Sequence, residues 1–330
     1  MKNKLPKRSE KGLRRIAALA TQPKIRQILA TTDFSKESQA GVRYAAALAK
    51  EMSATLKLIH VIEPPSRMAG METLVLGRDD SEILELAKVQ LKKLASQENL
   101  GGLSVTAGVR TGKAFHEITT AARGRADLIV IATHGYTGAS RVLLGSTAER
   151  VVRYAPCPVL TIPTRGIAKG AGKMESLKLK RILVPLDFSK ISKDALPWAI
   201  SFAAQFGATI TLLNIVEEYP ADYLLGSELM NETITPLMKQ AEADLNEMGH
   251  SLKRSTGIEV SAAVRSGTPF EEICQSANEL GIDLIVLTTH GYTGLKHVWL
   301  GSTAERVVRH AACPVLIVRG RPNDLLPRRR

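Results

Sequence analysis

The sequence has few aromatic residues, few cysteines and no long apolar run. Aromatic residues make up 4% of the 330 residues, and the cysteines are Cys157, Cys274 and Cys313. Three thiols without metal-type spacing exclude a disulfide framework and favour a reducing cytoplasm. No apolar run approaches the roughly 18 residues that a membrane helix needs, and the short stretch after the first charges is not a signal-peptide core. A soluble, cytoplasmic globular protein is expected.

The net charge of +13 is concentrated at the two ends of the chain. Residues 1–24 carry eight basic side chains against one acidic, and residues 319–330 carry five against one. The body between them is left with a net charge of +2. Solvated tails are the simplest interpretation. Weak contact with nucleic acid or an anionic surface, and an organellar presequence at the N-terminus, are the alternatives.

An internal repeat sets the domain organisation. Residues 133–159 and 289–315 align without gaps and are identical at 21 of 27 positions. A period of about 155 residues is too long for a solenoid and indicates a duplicated domain. The sequence therefore predicts a basic tail (1–24), a first domain (25–164), a linker rich in Gly, Ala and Lys (165–179), a second domain (180–318) and a second tail (319–330).

Within each copy, short aliphatic runs alternate with amphipathic stretches. In the first copy the pattern predicts strands near 26–32, 54–62, 103–109, 127–132 and 158–162. It predicts helices near 36–51, 80–97, 114–124 and 146–155. Continuous runs such as Leu128–Ile131 are typical of strands covered on both faces, so the sheet should be parallel. The expected class is α/β, a doubly wound sheet with helices on both faces.

Two strand ends carry residues suited to a ligand. Open parallel sheets bind ligands beyond the carboxyl ends of their strands, where Asp33 follows the first strand. The fourth strand enters a loop with Gly135 and Gly145 before Ser146 opens the last helix. Glycines let main-chain amides approach an anion, and a helix N-terminus favours a phosphate. A carboxylate opposite such a loop predicts a nucleotide site.

The same loop has a simpler interpretation as a helix cap. Ser146 with Glu149, and Ser302 with Glu305, fit the capping box, in which the serine satisfies amides of its own helix. The glycines then only make turns. The two interpretations are compatible, because neighbouring amides can still meet a phosphate.

A catalytic pair of carboxylates is not expected. Asp33 and Asp127 would sit at opposite ends of parallel strands, about 20 Å apart at roughly 3.3 Å per residue. Asp127 is predicted to cap the start of a strand instead.

Three groups of residues resemble the universal stress protein family in its tandem two-domain form. They are Thr32-Asp33-Phe34-Ser35, the His60-Val61 strand end, and Thr133-His134-Gly135 followed by nine residues to Gly145-Ser146. The resemblance covers roughly 25–164 and 180–318. It implies two Rossmann-like domains of the adenine nucleotide alpha-hydrolase type, each with a five-stranded parallel sheet of order 3-2-1-4-5. It also implies that the two domains pair through their last strands as a pseudo-dimer, and leaves a further homodimer open.

The nucleotide-binding branch of the family carries Gly-x2-Gly-x9-Gly-(Ser/Thr), and this chain departs from it once in each copy. Ala132 and Thr288 stand at the first glycine. Alanine adds only a methyl group, so the first copy should still admit a phosphate or ribose. Threonine is bulkier and β-branched, which makes the second copy the weaker candidate.

The resemblance implies a set of nucleotide contacts in each copy. Aspartate would meet the adenine or ribose, the second strand would offer backbone groups to adenine, and the glycine loop would hold ribose and phosphates. The first-copy residues are Thr31, Asp33, Val61, Ile131, Ala132, Gly135, Gly145, Ser146 and Thr147. The second-copy residues are Pro185, Asp187, Ile215, Leu287, Thr288, Gly291, Gly301, Ser302 and Thr303.

Three functions fit these residues. The first is a stress-response module that senses or stores ATP, ADP or AMP and changes its protein partners accordingly. The second is a slow ATPase that uses Mg²⁺, or autophosphorylates at Ser146 or Ser302. The third is a nucleotide-free scaffold or chaperone-like protein. No general base or positioned nucleophile recurs in both copies, which favours binding over turnover. No catalytic residue and no metal ligand is assigned.

Overall fold

The computed structural model describes residues 23–64, 80–96, 102–133, 144–163, 177–217, 227–289 and 301–319. Contacts divide the chain into two compact units. Of the described residues, those within 25–177 and 308–317 form the N-terminal unit, and those within 178–307, together with 23–24 and 318–319, form the C-terminal unit. Among the described residues, no helix combines the length and the apolar character that crossing a membrane requires.

The N-terminal unit alternates strands and helices as the aliphatic pattern predicts. Its strands are β1 Gln27–Thr32, β2 Thr55–Ile62, β3 Val105–Thr111, β4 Leu128–Ala132 and β5 Val159–Ile162. Its helices are α1 Lys36–Glu51, α2 Asp80–Ala95, α3 Ala114–Ala122 and α4 Ser146–Tyr154. The strands are parallel in the order β3-β2-β1-β4-β5, which confirms the expected order. The third strand starts two residues later than the sequence pattern suggests.

The C-terminal unit repeats this succession. Its strands are β6 Arg181–Pro185, β7 Thr209–Glu217, β8 Val260–Gly267 and β9 Leu284–Thr288. A 3-10 helix, Ser192–Ala195, precedes α5 Leu196–Phe206, and α6 Ser227–Thr256, α7 Pro269–Glu279 and α8 Ser302–His310 follow. The parallel order β8-β7-β6-β9 matches the first unit strand for strand. The last strand of the chain, β10 Val315–Val318, groups through residues 315–317 with the N-terminal unit, where it runs antiparallel to β5.

The core follows from the aliphatic runs. Every residue of β4 and of β9 is buried, as expected for a strand covered on both faces. Leu58 in β2 and its repeat Leu212 in β7 are both fully buried. Removing a leucine side chain from water contributes roughly 2 kcal/mol. This core fixes the strands, so their carboxyl ends meet at one edge of each sheet.

An aspartate fastens the opposite edge of each sheet. The Asp127 carboxylate accepts hydrogen bonds from the backbone N–H groups of Arg26 (2.7 Å) and Gln27 (3.0 Å) at the start of β1. Asp283 does the same for the two amides at the start of β6, at 2.8 and 3.0 Å. The prediction that Asp127 caps a strand start is therefore confirmed. The strand that it caps is the neighbouring β1.

Candidate nucleotide site

A cleft lies at the carboxyl edge of the N-terminal unit. The ends of β1, β2 and β4 and the first turns of α1, α3 and α4 form its walls. Eight of the nine residues named for the first copy line it: Thr31, Asp33, Val61, Ile131, Ala132, Gly145, Ser146 and Thr147. Gly135 lies outside the described residues. The structure thus brings together positions up to 116 residues apart in the chain.

A tight turn after β1 orients Asp33. Its Oδ1 accepts hydrogen bonds from the Ser35 amide at 3.0 Å and from the Ser35 hydroxyl at 2.6 Å. Phe34, between them, has a φ of 66°, in the left-handed region that costs an ordinary residue about 1–2 kcal/mol. Asp33 itself is exposed. The turn therefore presents a fixed carboxylate to whatever occupies the cleft.

Hydroxyl groups beneath this turn hold α1 to β1. Ser35 is the N-cap of α1, and its Oγ accepts from the Ser38 amide at 3.1 Å. The Ser38 and Thr32 hydroxyls lie 3.0 Å apart, and both are buried. Thr32 and Ser38 also line the cleft, although neither was predicted as a ligand contact. The Ser-x-x-Ser spacing at the start of a helix was the available signal.

His60 joins the ends of β1 and β2. Its Nδ1 lies 2.8 Å from the carbonyl oxygen of Thr32. A carbonyl only accepts, so Nδ1 carries a proton. The imidazole also packs against the Phe34 ring, with centroids 4.3 Å apart. In the C-terminal unit, Asn214 donates to the Leu186 carbonyl at 2.7 Å and makes the same connection. His60, the residue before Val61, thus has a structural role, because it connects the ends of β1 and β2.

Ala132 packs towards helix α1. A Cβ built on Gly41 would lie 3.6 Å from the Ala132 Cβ, an ordinary van der Waals contact, so helix α1 lies close to the end of β4 here. In the C-terminal unit, Thr288 takes the place of Ala132 and Ala195 that of Gly41. Ala195 belongs to the 3-10 helix, and α5 starts six residues later in the repeat than α1.

The first turn of α4 begins at a glycine. Gly145 is the N-cap, and its amide donates to the Thr133 carbonyl at 2.8 Å. Gly145 has no side-chain oxygen to offer, so the amides of the first turn lack a side-chain cap from this residue. Ser146 is already helical. In the N-terminal unit, the expectation that Ser146 acts as the capping-box N-cap is therefore wrong. Such a helix start favours an anion.

Neighbouring contacts fix α3 and α4 around the cleft. The Arg150 guanidinium of α4 lies 5.3 Å from the centre of the Phe115 ring of α3, and Arg306 lies 5.0 Å from Phe270 in the second copy. The start of α3 is capped by the residue that follows β2, because the Ala114 amide donates to the Glu63 carboxylate at 2.6 Å. The repeated cation–π contact indicates that both copies position the helix after the glycine loop in the same way.

One ion pair at the outer strand perturbs a carboxyl group. Arg110 of β3 donates to Glu117 of α3 at 3.0 Å. This hydrogen bond lowers the pKa of Glu117, partial burial opposes the shift, and the His116 ring adds to it. The described residues contain no cluster of His, Cys, Asp or Glu side chains that could hold a metal ion. Burial raises the pKa of the Cys274 thiol to about 11, so this cysteine stays protonated at neutral pH.

The second-copy positions lie along the matching edge of the C-terminal unit. The Asp187 Oδ1 accepts from the Ser189 amide at 3.0 Å, as Asp33 does from Ser35. Pro185 ends β6, Ile215 lies in β7, and Leu287 and Thr288 end β9. Gly301 precedes α8, whose first residues are Ser302 and Thr303, and the Gly301 amide donates to Thr289 at 2.6 Å. Gly291 lies outside the described residues.

Comparisons with known proteins agree with this architecture. The sequence profile of the universal stress protein family matches residues 24–163 and again 178–319. A universal stress protein of Mycolicibacterium smegmatis is 28% identical over 301 residues, covering 89% of this chain and 97% of that protein. One of Methanocaldococcus jannaschii is 34% identical over 140 residues, covering 42% of this chain and 82% of that protein.

Solved structures show the same fold. A universal stress protein from Archaeoglobus fulgidus superposes with a TM-score of 0.65 at 23% identity, covering 90% of this chain and 97% of that one. Because the family profile matches both halves and the fold agrees over most of the length, the chain belongs to the universal stress protein family.

Proposed function

We propose that the N-terminal unit binds an adenine nucleotide and that the protein acts as a nucleotide-dependent regulator in the stress response rather than as a metabolic enzyme. The observation that carries this proposal is the cleft that combines Asp33, Val61 and the start of α4 at Gly145. A carboxylate suits the hydroxyl groups of a ribose. A helix N-terminus without a side-chain cap suits phosphates. An elongated ligand with a sugar between a base and phosphates matches this arrangement.

ATP, ADP and AMP share these features, and the proposal extends to all three. With a triphosphate, Mg²⁺ would enter with the phosphates, because this ion keeps several waters and usually binds through substrate phosphates. The Ser146 and Thr147 side chains line the cleft, and their hydroxyl groups would be the ones to contact such a complex. Ser146 would also be the acceptor in an autophosphorylating protein, which is the enzymatic alternative.

We propose the C-terminal unit as the weaker site. Thr288 brings a larger side chain to the position of Ala132, and Ala195 stands at the repeat position of Gly41. For this unit the nucleotide-free, scaffold-like alternative has a specific observation in its favour.

Free cysteines suit the cytoplasm as the compartment. How the two domains pair, the roles of the basic tails and the identity of protein partners stay predictions.

The test starts with the purified full-length protein. It is denatured and the supernatant is analysed for nucleotide; the stripped protein is then titrated with ATP, ADP and AMP by calorimetry. About one nucleotide per chain supports the proposal. The proposal would be contradicted if no nucleotide were released and the titrations gave no binding heat. A burst of ADP in the presence of Mg²⁺, abolished by Gly145→Val, would favour the slow ATPase.

A matched pair of variants tests which unit binds. Asp33→Ala removes a charged acceptor from the cleft, which is worth about 1.5–3 kcal/mol, so the Kd should rise at least tenfold. Asp187→Ala occupies the same position in the weaker site and should change the Kd little. Equal losses in the two variants would mean that the two sites are equivalent.

A further inference from the structure

The outer face of α2 carries an apolar stripe that nothing in the proposed function uses. Ile83, Leu86 and Val89 follow one another at a spacing of three residues and are 38%, 46% and 63% exposed. Side chains at this spacing are neighbours on a helix surface. The inner face of the helix, with Ala87, Leu91 and Leu94 all under 10% exposed, packs on β2 and β3. The helix is thus apolar on two sides, whereas a surface helix is normally apolar on one.

The fold does not require this stripe. In the repeat, Ala241, Leu245 and Met248 of α6 take the buried places of Ala87, Leu91 and Leu94. The outer positions of α6 are then Leu237, Gln240 and Ala243, of which Leu237 alone is a large apolar residue, 54% exposed. Two of the three apolar side chains are therefore particular to α2.

The charges around the stripe are arranged so that one copy of α2 complements a second, antiparallel copy. Acidic side chains, Glu82 and Glu85, occupy the first half of α2, and basic ones, Lys88, Lys92 and Lys93, occupy the second half. All five are exposed. Two copies of such a helix packed antiparallel place the acidic half of each against the basic half of the other, and their helix dipoles also oppose.

The register of such a pair follows from the residue numbers. With a two-fold axis between Ala87 and Lys88, Leu86 of one copy lies opposite Val89 of the other. In the same register Glu82 lies opposite Lys93, on the same side of the helix as Leu86. The symmetry repeats each contact, so Leu86 and Val89 of the two copies meet in the centre with an ion pair at either end, while Ile83 lies opposite Lys92.

We propose that a second copy of this chain docks on this face, through an antiparallel, two-fold symmetric pairing of α2 with α2. The charge distribution favours a second copy. A partner with charge of one sign would face like charges along half of the helix, and an apolar partner would offer no opposite charge to either half. One helix on each side buries less than the roughly 1,200 Å² of a standard interface, so the dimer is weak and concentration-dependent. The inference does not depend on nucleotide binding.

Charge reversal tests the pairing. The full-length protein is followed by sedimentation at low salt from about 1 μM to several hundred μM, the range in which small interfaces associate. Glu82→Lys puts like charges opposite each other at both ends, and we expect the dimer Kd to rise about tenfold. Lys93→Glu should have the same effect. The double variant, with Glu82→Lys and Lys93→Glu, should return the Kd to near its original value.

A pair of apolar variants provides the control. Leu86→Asp should abolish the dimer, whereas Leu237→Asp, at an exposed apolar position of α6, should leave it unchanged. These side chains are exposed, and circular dichroism checks that each variant is folded. Three results would overturn the proposal: a monomer at every concentration, a dimer that Leu86→Asp leaves intact, or a double variant as weak as the single ones.

Discussion

The two units share a scaffold and differ at the edge where a ligand would lie. Both have the Asp-Phe-Ser turn, and both cap a strand start with an aspartate. They differ in the side chain that hydrogen-bonds the second strand to the first, which is His60 in one unit and Asn214 in the other. They also differ at Gly41 and Ala132, whose repeat positions are Ala195 and Thr288. The two units therefore keep the turn that presents the aspartate and the cap of the first strand, and differ at these two places beside the cleft.

The strained turn is the clearest case of what was kept. Phe34 has a φ of 66° and Phe188 a φ of 60°, although a phenylalanine gains nothing from the left-handed region. Strain of this kind persists only where the surroundings over-determine it. Here the hydrogen bonds of Asp33 and Asp187 to the following serines do so. Because both units keep the turn, it does not by itself distinguish the better site.

The largest expected effect tests whether the scaffolds are equivalent. Leu58→Ala and Leu212→Ala each remove a fully buried side chain at the same place in the repeat. We expect each to lower the free energy of unfolding of its own unit by about 2–5 kcal/mol. Hydrogen exchange of the two sheets, measured by mass spectrometry on the full chain, reports each unit separately. A loss confined to one of the two variants would show that the cores have diverged as well.

The second prediction transplants the bulkier residue. Ala132→Thr adds atoms where Ala132 already faces α1, and overpacking of this kind typically costs about 1–3 kcal/mol. We expect lower stability of the N-terminal unit together with weaker nucleotide binding, measured by hydrogen exchange and calorimetry. The matched control is Gly41→Ala. Its new Cβ would make ordinary contacts at 3.5–3.6 Å, and alanine favours a helix by up to about 1 kcal/mol.

A stable, nucleotide-binding Ala132→Thr variant would mean that the difference between the units has another origin. Destabilisation by Gly41→Ala would show that helix α1 lies too close to β4 for any side chain there.

The sequence predicts the elements of the first unit well because the signals are local. The aliphatic run of β4 identifies a covered strand, and all five of its residues are buried. The strand order came from the family resemblance, since residue patterns alone give alternation but no order.

Other features depend on contacts that the local sequence does not encode. The residue of α1 that lies next to Ala132 is Gly41, 91 residues earlier in the chain. The capping-box sequence is the same whether its serine is the N-cap or the first helical residue. The hydrogen bond from the Gly145 amide to the Thr133 carbonyl decides between the two. The late start of α5 follows a serine pair, Ser189 and Ser192, that matches the pair at the start of α1.

A third prediction concerns the connection that His60 makes between β1 and β2. His60→Ala removes the donor to the Thr32 carbonyl and should cost about 0.5–1.5 kcal/mol in the N-terminal unit. His60→Asn introduces the residue that makes this bond in the other unit, and it should recover most of the loss. Denaturant unfolding of the full chain, with hydrogen exchange at β1 and β2, measures both. If His60→Asn were as unstable as His60→Ala, the stacking on Phe34 would be the more important contact.

The smallest expected effect is a pH dependence found at one outer strand. The hydrogen bond from Arg110 holds the pKa of Glu117 below its ordinary value of 4.5 in the folded protein, so the folded state favours the ionised form. The resulting stability is present above the pKa of the unfolded chain and is lost as the pH falls through the lower, folded value. Both side chains are partly exposed, at 34% and 20%, so the contribution stays below about 1 kcal/mol.

Glu117→Gln should therefore lower stability at pH 7 and make no difference at a pH below the folded pKa. Glu272→Gln is the matched control, because Glu272 is the repeat position of Glu117. In the C-terminal unit Arg265, the repeat of Arg110, donates instead to Glu279 at 2.7 Å. Urea unfolding of the three proteins between pH 3 and pH 7 measures the effect. A difference between Glu117→Gln and the unaltered protein that stayed constant over this range would show that the carboxylate charge is not its source.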